Sequence, residues 1–381
     1  MACRFVHTAD WQLGKPFVRM EGDTGARLRQ ARFDAVRKVA TIATDRRADA
    51  VLVAGDSFDS HLPGDATIHR ALDVMQPFAG PWVILPGNHD PGESAAPLWD
   101  RLELLALERG NIQIRVARSR EPMRLADDRL EILPAPLRHR DDPDDPTAWF
   151  HGLARQPGII RTGLAHGSVY GFDHGDGEAA NLIAPDLAEK SGLDYLALGD
   201  WHGTQSITRR CWYSGTPEPD RFRNNDPGHA LWVEIDEAGT MPRVERLETA
   251  TFSWQMAAFD QIDETDGLIE QVEGLLRQSM PADRMLLQLQ FDGEIDLAGR
   301  ARLDERIETW RLRLCHLDLD DRLVERPSDQ DWSELRLHGL ASSVAERLSQ
   351  MASDPGSDEA EAARMALRRL YLIQHRISGA G

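Results

Sequence analysis

Thiols, long apolar runs and lysine are what this chain has least of. It holds 3 cysteines among 381 residues, Cys3, Cys211 and Cys315. They are too few and too scattered for a disulfide framework or a zinc pair, which suits a reducing, cytoplasmic compartment. No run of about 18 apolar residues occurs, which excludes a membrane-spanning helix. The opening Met1-Ala2-Cys3-Arg4-Phe5-Val6-His7 enters a strand-like run with no signal-peptide apolar core. Lysine is confined to Lys15, Lys38 and Lys190, so nearly all of the 44 cations are arginine. A GC-rich genome produces such a bias, and arginine forks also grip phosphate oxygens in pairs.

What is present is a folded-protein composition. At 41% hydrophobic and 28% charged residues, wholesale disorder is excluded. The length fits one large α/β domain plus an appendage, or two to three domains. The net charge of −19 argues against a protein held to nucleic acid by its overall field. Residues 251–381 carry 25 acidic and 15 basic side chains, a net of −10, and the first 250 residues carry the other −9.

Up to about residue 250, short apolar runs alternate with helical patterns, the signature of a layered α/β core. Strands are expected at Arg4–Ala9, Ala50–Ala54, Trp82–Leu85, Ile112–Val116, Arg129–Leu133, Ile159–Ala165 and Tyr195–Leu198. Arg210–Ser214 and Ala230–Ile235 read as hairpin-like. Helices are expected at Thr24–Arg47, Ala66–Met75 and Leu98–Arg109, the last ended by Gly110. Beyond 250, Met285–Phe291 reads as a half-exposed strand between helices at Gly267–Gln278 and Gly299–Arg313. From Ser333 the pattern is helical again, broken at Asp354-Pro355-Gly356.

The chemistry lies in the residues just past each core strand. Five strands run into Asp10-Trp11-Gln12, Gly55-Asp56-Ser57-Phe58-Asp59, Gly87-Asn88-His89-Asp90, His166-Gly167 and Gly199-Asp200-Trp201-His202. Ligands of α/β sheets bind beyond the carboxyl ends of the strands. One Asp after one strand is a turn or cap residue; five such endings in succession are hard to produce as turns alone. Carboxylate, amide oxygen and imidazole without thiolate suit hard or borderline divalent ions. There are enough donors for two of them, the arrangement that clamps a phosphoryl displacement.

These motifs resemble the calcineurin-like metallophosphoesterase superfamily. His7-Thr8-Ala9-Asp10-Trp11-Gln12-Leu13-Gly14, with Gly-Asp-Ser-Phe-Asp and Pro-Gly-Asn-His-Asp, resembles its SbcD-type DNA repair exonucleases, the YhaO-like branch included, over roughly residues 1–235. The segment from Glu334 to Leu340 is similar to the YhaO-like branch as well. The resemblance implies a four-layer fold, two packed β-sheets flanked by helices, at residues 1–250. It further implies a small α+β capping domain at 251–330 and a helical C-terminal segment docking a partner at 331–381. Asp10, Gln12 and His202 would hold a first metal, Asp56 would bridge, and Asn88, His166 and Asp200 would hold a second. His89 would protonate the leaving sugar oxygen, and Asp59 would lie near the substrate phosphate.

Two positions depart from the family pattern: Gln12 stands where a histidine is usual, and so does Asp200. The shift towards oxygen ligation favours manganese or magnesium. Trp11, Arg221 and Arg223 are candidate DNA contacts; Trp11 and Trp201, each beside a candidate metal ligand, are the tryptophans to test for base stacking, although most tryptophans fill cores. The implied activity is a two-metal DNA phosphodiesterase, an exonuclease in DNA repair or processing. Its implied partners are DNA, an SMC-type ATPase of the SbcC or YhaN kind and a second copy of the chain. Two alternatives stay open: a phosphatase or small-molecule phosphodiesterase, and a non-catalytic scaffold with a weakened metal site.

Overall fold

A computed structural model describes residues 2–93, 97–171, 181–278, 280–326, 328, 340–352 and 359–378. The Glu334–Leu340 match, apart from its last residue, and the break at Asp354-Pro355-Gly356 lie outside the described residues. The chain divides into two compact units, Met1–Phe252 and Ser253–Gly381.

The first unit holds β1 (Cys3–Thr8), α1 (Thr24–Asp45), β2 (Ala50–Val53), α2 (Asp65–Met75), β3 (Pro81–Ile84), α3 (Leu98–Arg109) and β4 (Gln113–Val116). It continues with β5 (Met123–Leu125), β6 (Leu130–Ala135), β7 (Ile160–His166), α4 (Leu187–Lys190) and β8 (Tyr195–Gly199). It ends with β9 (Gln205–Ser206), β10 (Cys211–Tyr213), β11 (His229–Ile235) and β12 (Arg243–Glu248). Gly110 ends α3 in the left-handed conformation at φ 70°.

Two six-stranded sheets result, ordered β12-β11-β1-β2-β3-β4 and β5-β6-β7-β8-β10-β9. Alternate residues of one strand serve different layers. In β2, Ala50 and Leu52 join Leu130, Ile132, Leu164 and Ala197 in the core between the sheets. Val51 and Val53 face the other way, onto Phe33, Val36, Ile68 and Leu102 of α1 to α3. Strands buried on both faces read as continuous apolar runs, which is why they are visible in the sequence. The outer face of the second sheet is covered by Phe150, Leu187 and Ala188. The layers are therefore helices, sheet, sheet and a thin helical cover.

One expectation fails. Arg210–Ser214 and Ala230–Ile235 do not form a hairpin with each other. β10 pairs with β8 and β9 in the second sheet, whereas β11 pairs with β1 and β12 in the first. The segment joining them crosses from one sheet to the other and carries site residues on the way.

The second unit contains β13 (Ser253–Ile262), α5 (Thr265–Gln278), β14 (Met285–Ile295), α6 (Leu297–Arg313) and β15 (His316–Glu325), followed by α7 (Leu340–Ala352) and α8 (Ala360–Ser378). Its three strands are parallel, with β14 central. Leu287, Leu289 and Phe291 pack under Val272 of α5 and Leu303 and Trp310 of α6. Asp296 caps α6 by accepting from the Gly299 N–H at 2.6 Å. Leu297, Ala345, Leu367 and Tyr371 form a smaller core under α7 and α8. Among the described residues no helix is long and apolar enough to cross a membrane.

Candidate metal centre

β1, β2 and β3 of one sheet and β7 and β8 of the other deliver their following residues to one place. Two hydrogen bonds tie the sheets together there. The His166 ring Nδ1 lies 2.8 Å from the Ala54 carbonyl, and the Asp200 N–H donates to Asp10 at 3.1 Å. The backbone is contorted at this seam. Asp10, Gln12, Asp56, Asp200 and His202 all have positive φ, at 55°, 41°, 53°, 108° and 41°. Non-glycine residues in this region are strained, and such strain gathers at functional sites.

Asp10, Asp56 and His166 are buried, and each offers a ligand atom within 4.8 Å of the others. The Ala54 carbonyl fixes the imidazole tautomer: Nδ1 carries the hydrogen, so Nε2 faces the centre. That nitrogen is 3.2 Å from Asn88 Oδ1, 3.6 Å from Asp56 Oδ1 and 3.9 Å from Asp200 Oδ1. Asp200 is further held by the Ser168 hydroxyl, which donates at 2.9 Å. Five of the residues assigned from sequence therefore converge: Asp10, Asp56, Asn88, His166 and Asp200.

The electrostatics suit a bound cation. Burial pushes the Asp10 carboxyl up to about 6, with Asp56 and Asp200 adding to the push and His202 and His166 opposing it. Burial alone would lower His166, yet Asp56, Asp10 and Asp200 outweigh it and raise the imidazole to about 9. Carboxylates crowded out of water hold protons that a divalent ion would replace. The donor set thus fits a hard divalent ion.

Gln12 and His202 lie to one side. Gln12 Nε2 is 3.3 Å from His202 Nε2, and the Lys15 ammonium donates to Gln12 Oε1 at 2.8 Å. Lys15 also donates to Asp220 at 2.5 Å, whose other oxygen is 3.1 Å from His202 Nδ1. Burial opposes ionisation of Asp220, but His202, Lys15 and Arg221 hold its carboxyl well below the usual range.

His89 stands over Asp56. Its N–H donates to Asp56 Oδ1 at 2.9 Å, and ring Nδ1 is 3.0 Å from the Asp59 carbonyl. Beside it opens a cavity of about 500 Å³, lined by Asp59, His61, Asn88, His89, His139 and Arg140. Arg221 Nη2 lies 3.0 Å from His202 Nδ1, and the Arg223 guanidinium covers the Trp201 ring at 4.4 Å.

Trp11 is a correction. It is 2% exposed, meets Trp82 edge-to-face at 5.8 Å and donates its indole N–H to Thr8 at 2.9 Å. A ring enclosed on all sides by core cannot stack on a base.

Sequence reasoning missed four residues. Lys15 and Asp220 are 205 positions apart, so no local pattern joins them, although the rarity of lysine was a signal. Asp90 accepts from the Phe58 and Gly87 N–H groups and so locks two ligand loops together. Buried Arg32 donates to the Asp10 and Trp11 carbonyls.

Residues 3–204 match the family model described as calcineurin-like phosphoesterase. The chain is 28% identical to the D subunit of the nuclease SbcCD of Bacillus subtilis (strain 168), over 62% of this chain and 66% of that one. It is 26% identical to the "Uncharacterized metallophosphoesterase YhaO" of the same organism, over 67% and 62%. Each of these two matches spans just under two thirds of the relative's own length. "DNA double-strand break repair protein Mre11" of Halobacterium salinarum is 26% identical over 94% of this chain and 96% of its own. Motifs, layered sheets and the family match agree, and the chain belongs to the calcineurin-like phosphoesterases.

Proposed function

We propose that this hydrolase is a metal-dependent DNA phosphodiesterase, an exonuclease in DNA repair or processing. One observation carries the reading: the His89 ring borders both the Asp56 carboxylate and a cavity with room for a nucleotide. Two of the similar proteins are named for nuclease or DNA-break repair function, which supports the choice of substrate.

Divalent ions held by Asp10, Asp56, Asn88, His166 and Asp200, manganese or magnesium for so oxygen-rich a set, would supply charge neutralisation and an acidified water. His89 donates a proton from Nε2 to the leaving oxygen, its ring fixed through Nδ1 by the Asp59 carbonyl. Asp59 lines the cavity beside it. Arg221 and Arg223 supply local positive charge for the phosphate backbone against the overall −19. The three-stranded unit beyond residue 252 caps the DNA. The C-terminal helices dock an SMC-type ATPase, and the chain works as a homodimer. One similar protein is named as a component of a larger nuclease, which supports a multi-chain assembly.

The test incubates purified protein with manganese and labelled linear DNA, single- and double-stranded, beside an aryl phosphodiester. DNA cleavage is expected. Cleavage of the aryl ester alone would overturn the nuclease reading in favour of a small-molecule phosphodiesterase. Absence of both cleavages and of bound metal would leave a scaffold.

A further inference from the structure

The two halves of the centre differ in the cations that contact their donors. Around His166 Nε2, three carboxylates and the Asn88 oxygen converge, with no lysine or arginine bonded to those carboxylate oxygens among the described residues. On the other side, every donor is already engaged. A tight turn, with the Lys15 N–H donating to the Gln12 carbonyl at 3.2 Å and Gly14 at φ 97°, folds Lys15 back over Gln12. An ammonium has hydrogens only, so the Gln12 atom it contacts at 2.8 Å is the amide oxygen. The amide NH2 therefore points to His202 Nε2 at 3.3 Å and covers its lone pair when the ring is neutral. His202 Nδ1 is spent on Asp220 at 3.1 Å. Two cations, Lys15 and Arg221, stand at this half against one carboxylate, Asp220, and the net positive charge disfavours an incoming dication.

We infer that Lys15 is a built-in counter-cation of the Gln12–His202 position. The two metal positions therefore fill in order: Asp10–Asp56–His166 first and tightly, Gln12–His202 later and weakly. The second ion enters only when Lys15 releases the amide oxygen and the amide turns away from His202. Lys15 is thus a positioning residue for the centre, and the inference rests on the metal-binding reading of that centre.

The test is a calorimetric titration of metal-free protein with Mn2+, paired with electron paramagnetic resonance of the bound ion. For the wild type, two affinities at least tenfold apart are expected, with an isolated-ion spectrum at one equivalent and a spin-coupled pair only in excess metal. Lys15→Met should tighten the weak site at least tenfold and leave the tight site unchanged, while Lys15→Arg should keep the wild-type gap. Should Lys15→Met fail to fold, Lys15→Gln makes the same comparison with a polar, uncharged side chain. Two equal affinities in the wild type, or an unchanged gap on removing the charge, would overturn the inference while leaving a metal centre. No Mn2+ binding at all would overturn the metal-centre reading together with it.

Discussion

The backbone N–H of His89 donates to Oδ1 of Asp56 at 2.9 Å, and the His89 ring Nε2 stands 3.9 Å from Oδ2 of the same carboxylate. The two contacts come from different parts of one residue and separate under mutation. His89→Ala keeps the backbone bond that orients Asp56 and removes only the ring. Turnover should fall by roughly 10²–10⁴-fold, the usual contribution of a positioned general acid. Manganese affinity should stay within about twofold of wild type. Steady-state rates beside a metal titration check both, and full activity in the variant would remove the proposed role of His89.

Glycines of the ligand loops make a second prediction. Gly55 has φ 93°, and a Cβ there would lie 2.2 Å from His166 Nδ1. Gly55→Ala is thus strained in its backbone and drives the imidazole off the Ala54 carbonyl. At Gly87 a Cβ would lie 2.3 Å from Asp56 Oδ1 and 2.4 Å from the Asp56 nitrogen. Both alanine variants should lose metal binding at the candidate Asp10–Asp56–His166 site and about 2 kcal/mol or more of stability. Elemental analysis after dialysis and chemical denaturation measure the two losses; a Gly55→Ala protein with full metal content would show that the loop yields freely.

How legible these features were depended on range. Sheet strands buried on both faces end abruptly in Asp56, Asn88 or Asp200, and the change from apolar run to polar candidate ligand is local. β13 and β15 are the outer strands of a sheet with a helical cover on one face, and acidic residues punctuate β15 at Asp318, Asp320 and Asp321. Neither looks like an apolar run. The reading of β10 and β11 as a hairpin failed for a related reason, since chain neighbours commonly pair and nothing local marks a change of sheet. Lys15 with Asp220, and His7 with Tyr195, are contacts across 205 and 188 positions that only the fold creates. The −19 net charge, by contrast, does not say where its carboxylates lie. Two of them, Asp10 and Asp56, meet His166 at the candidate cation site.

His7 yields a pH prediction. Buried between the sheets, it lies 3.0 Å from the Tyr195 hydroxyl and 3.1 Å from the Leu198 carbonyl. Burial lowers its pKa to about 3, against a smaller opposing effect of the Leu198 hydrogen bond. Above about pH 6.5 the ring is neutral in both folded and unfolded chains, so its contribution to stability is complete there. As pH falls below that value the unfolded chain takes up a proton that the native one refuses. Stability is lost at about 1.4 kcal/mol per pH unit, down to the folded value near 3. His7→Gln keeps a donor and an acceptor without a titration. Urea midpoints at pH 7.5, 6.0 and 5.0 should fall less steeply for the variant than for the wild type. Parallel slopes would mean that His7 is not the residue resisting protonation.

Trp11 and Trp201 flank candidate ligands at equivalent places in their motifs and should answer mutation in opposite ways. Trp11 is enclosed by core beside Trp82 and hydrogen-bonded to Thr8. Trp11→Ala should therefore cost roughly 3–5 kcal/mol of stability, as large aromatic truncations in cores do. If the proposed DNA binding holds, its affinity should be unchanged in the protein that remains folded. Trp201 is half-buried, with the Arg223 guanidinium over its ring. Trp201→Ala opens no deep cavity and should change stability by about 1 kcal/mol or less. If the ring or its arginine meets the substrate, single-stranded DNA affinity should drop by roughly 1–3 kcal/mol, the measured range for loss of one aromatic stack. Melting curves and fluorescence anisotropy on the two variants distinguish the roles. A Trp201→Ala protein with unchanged DNA affinity would confine the DNA contact to other residues, whatever Trp11→Ala does to the fold.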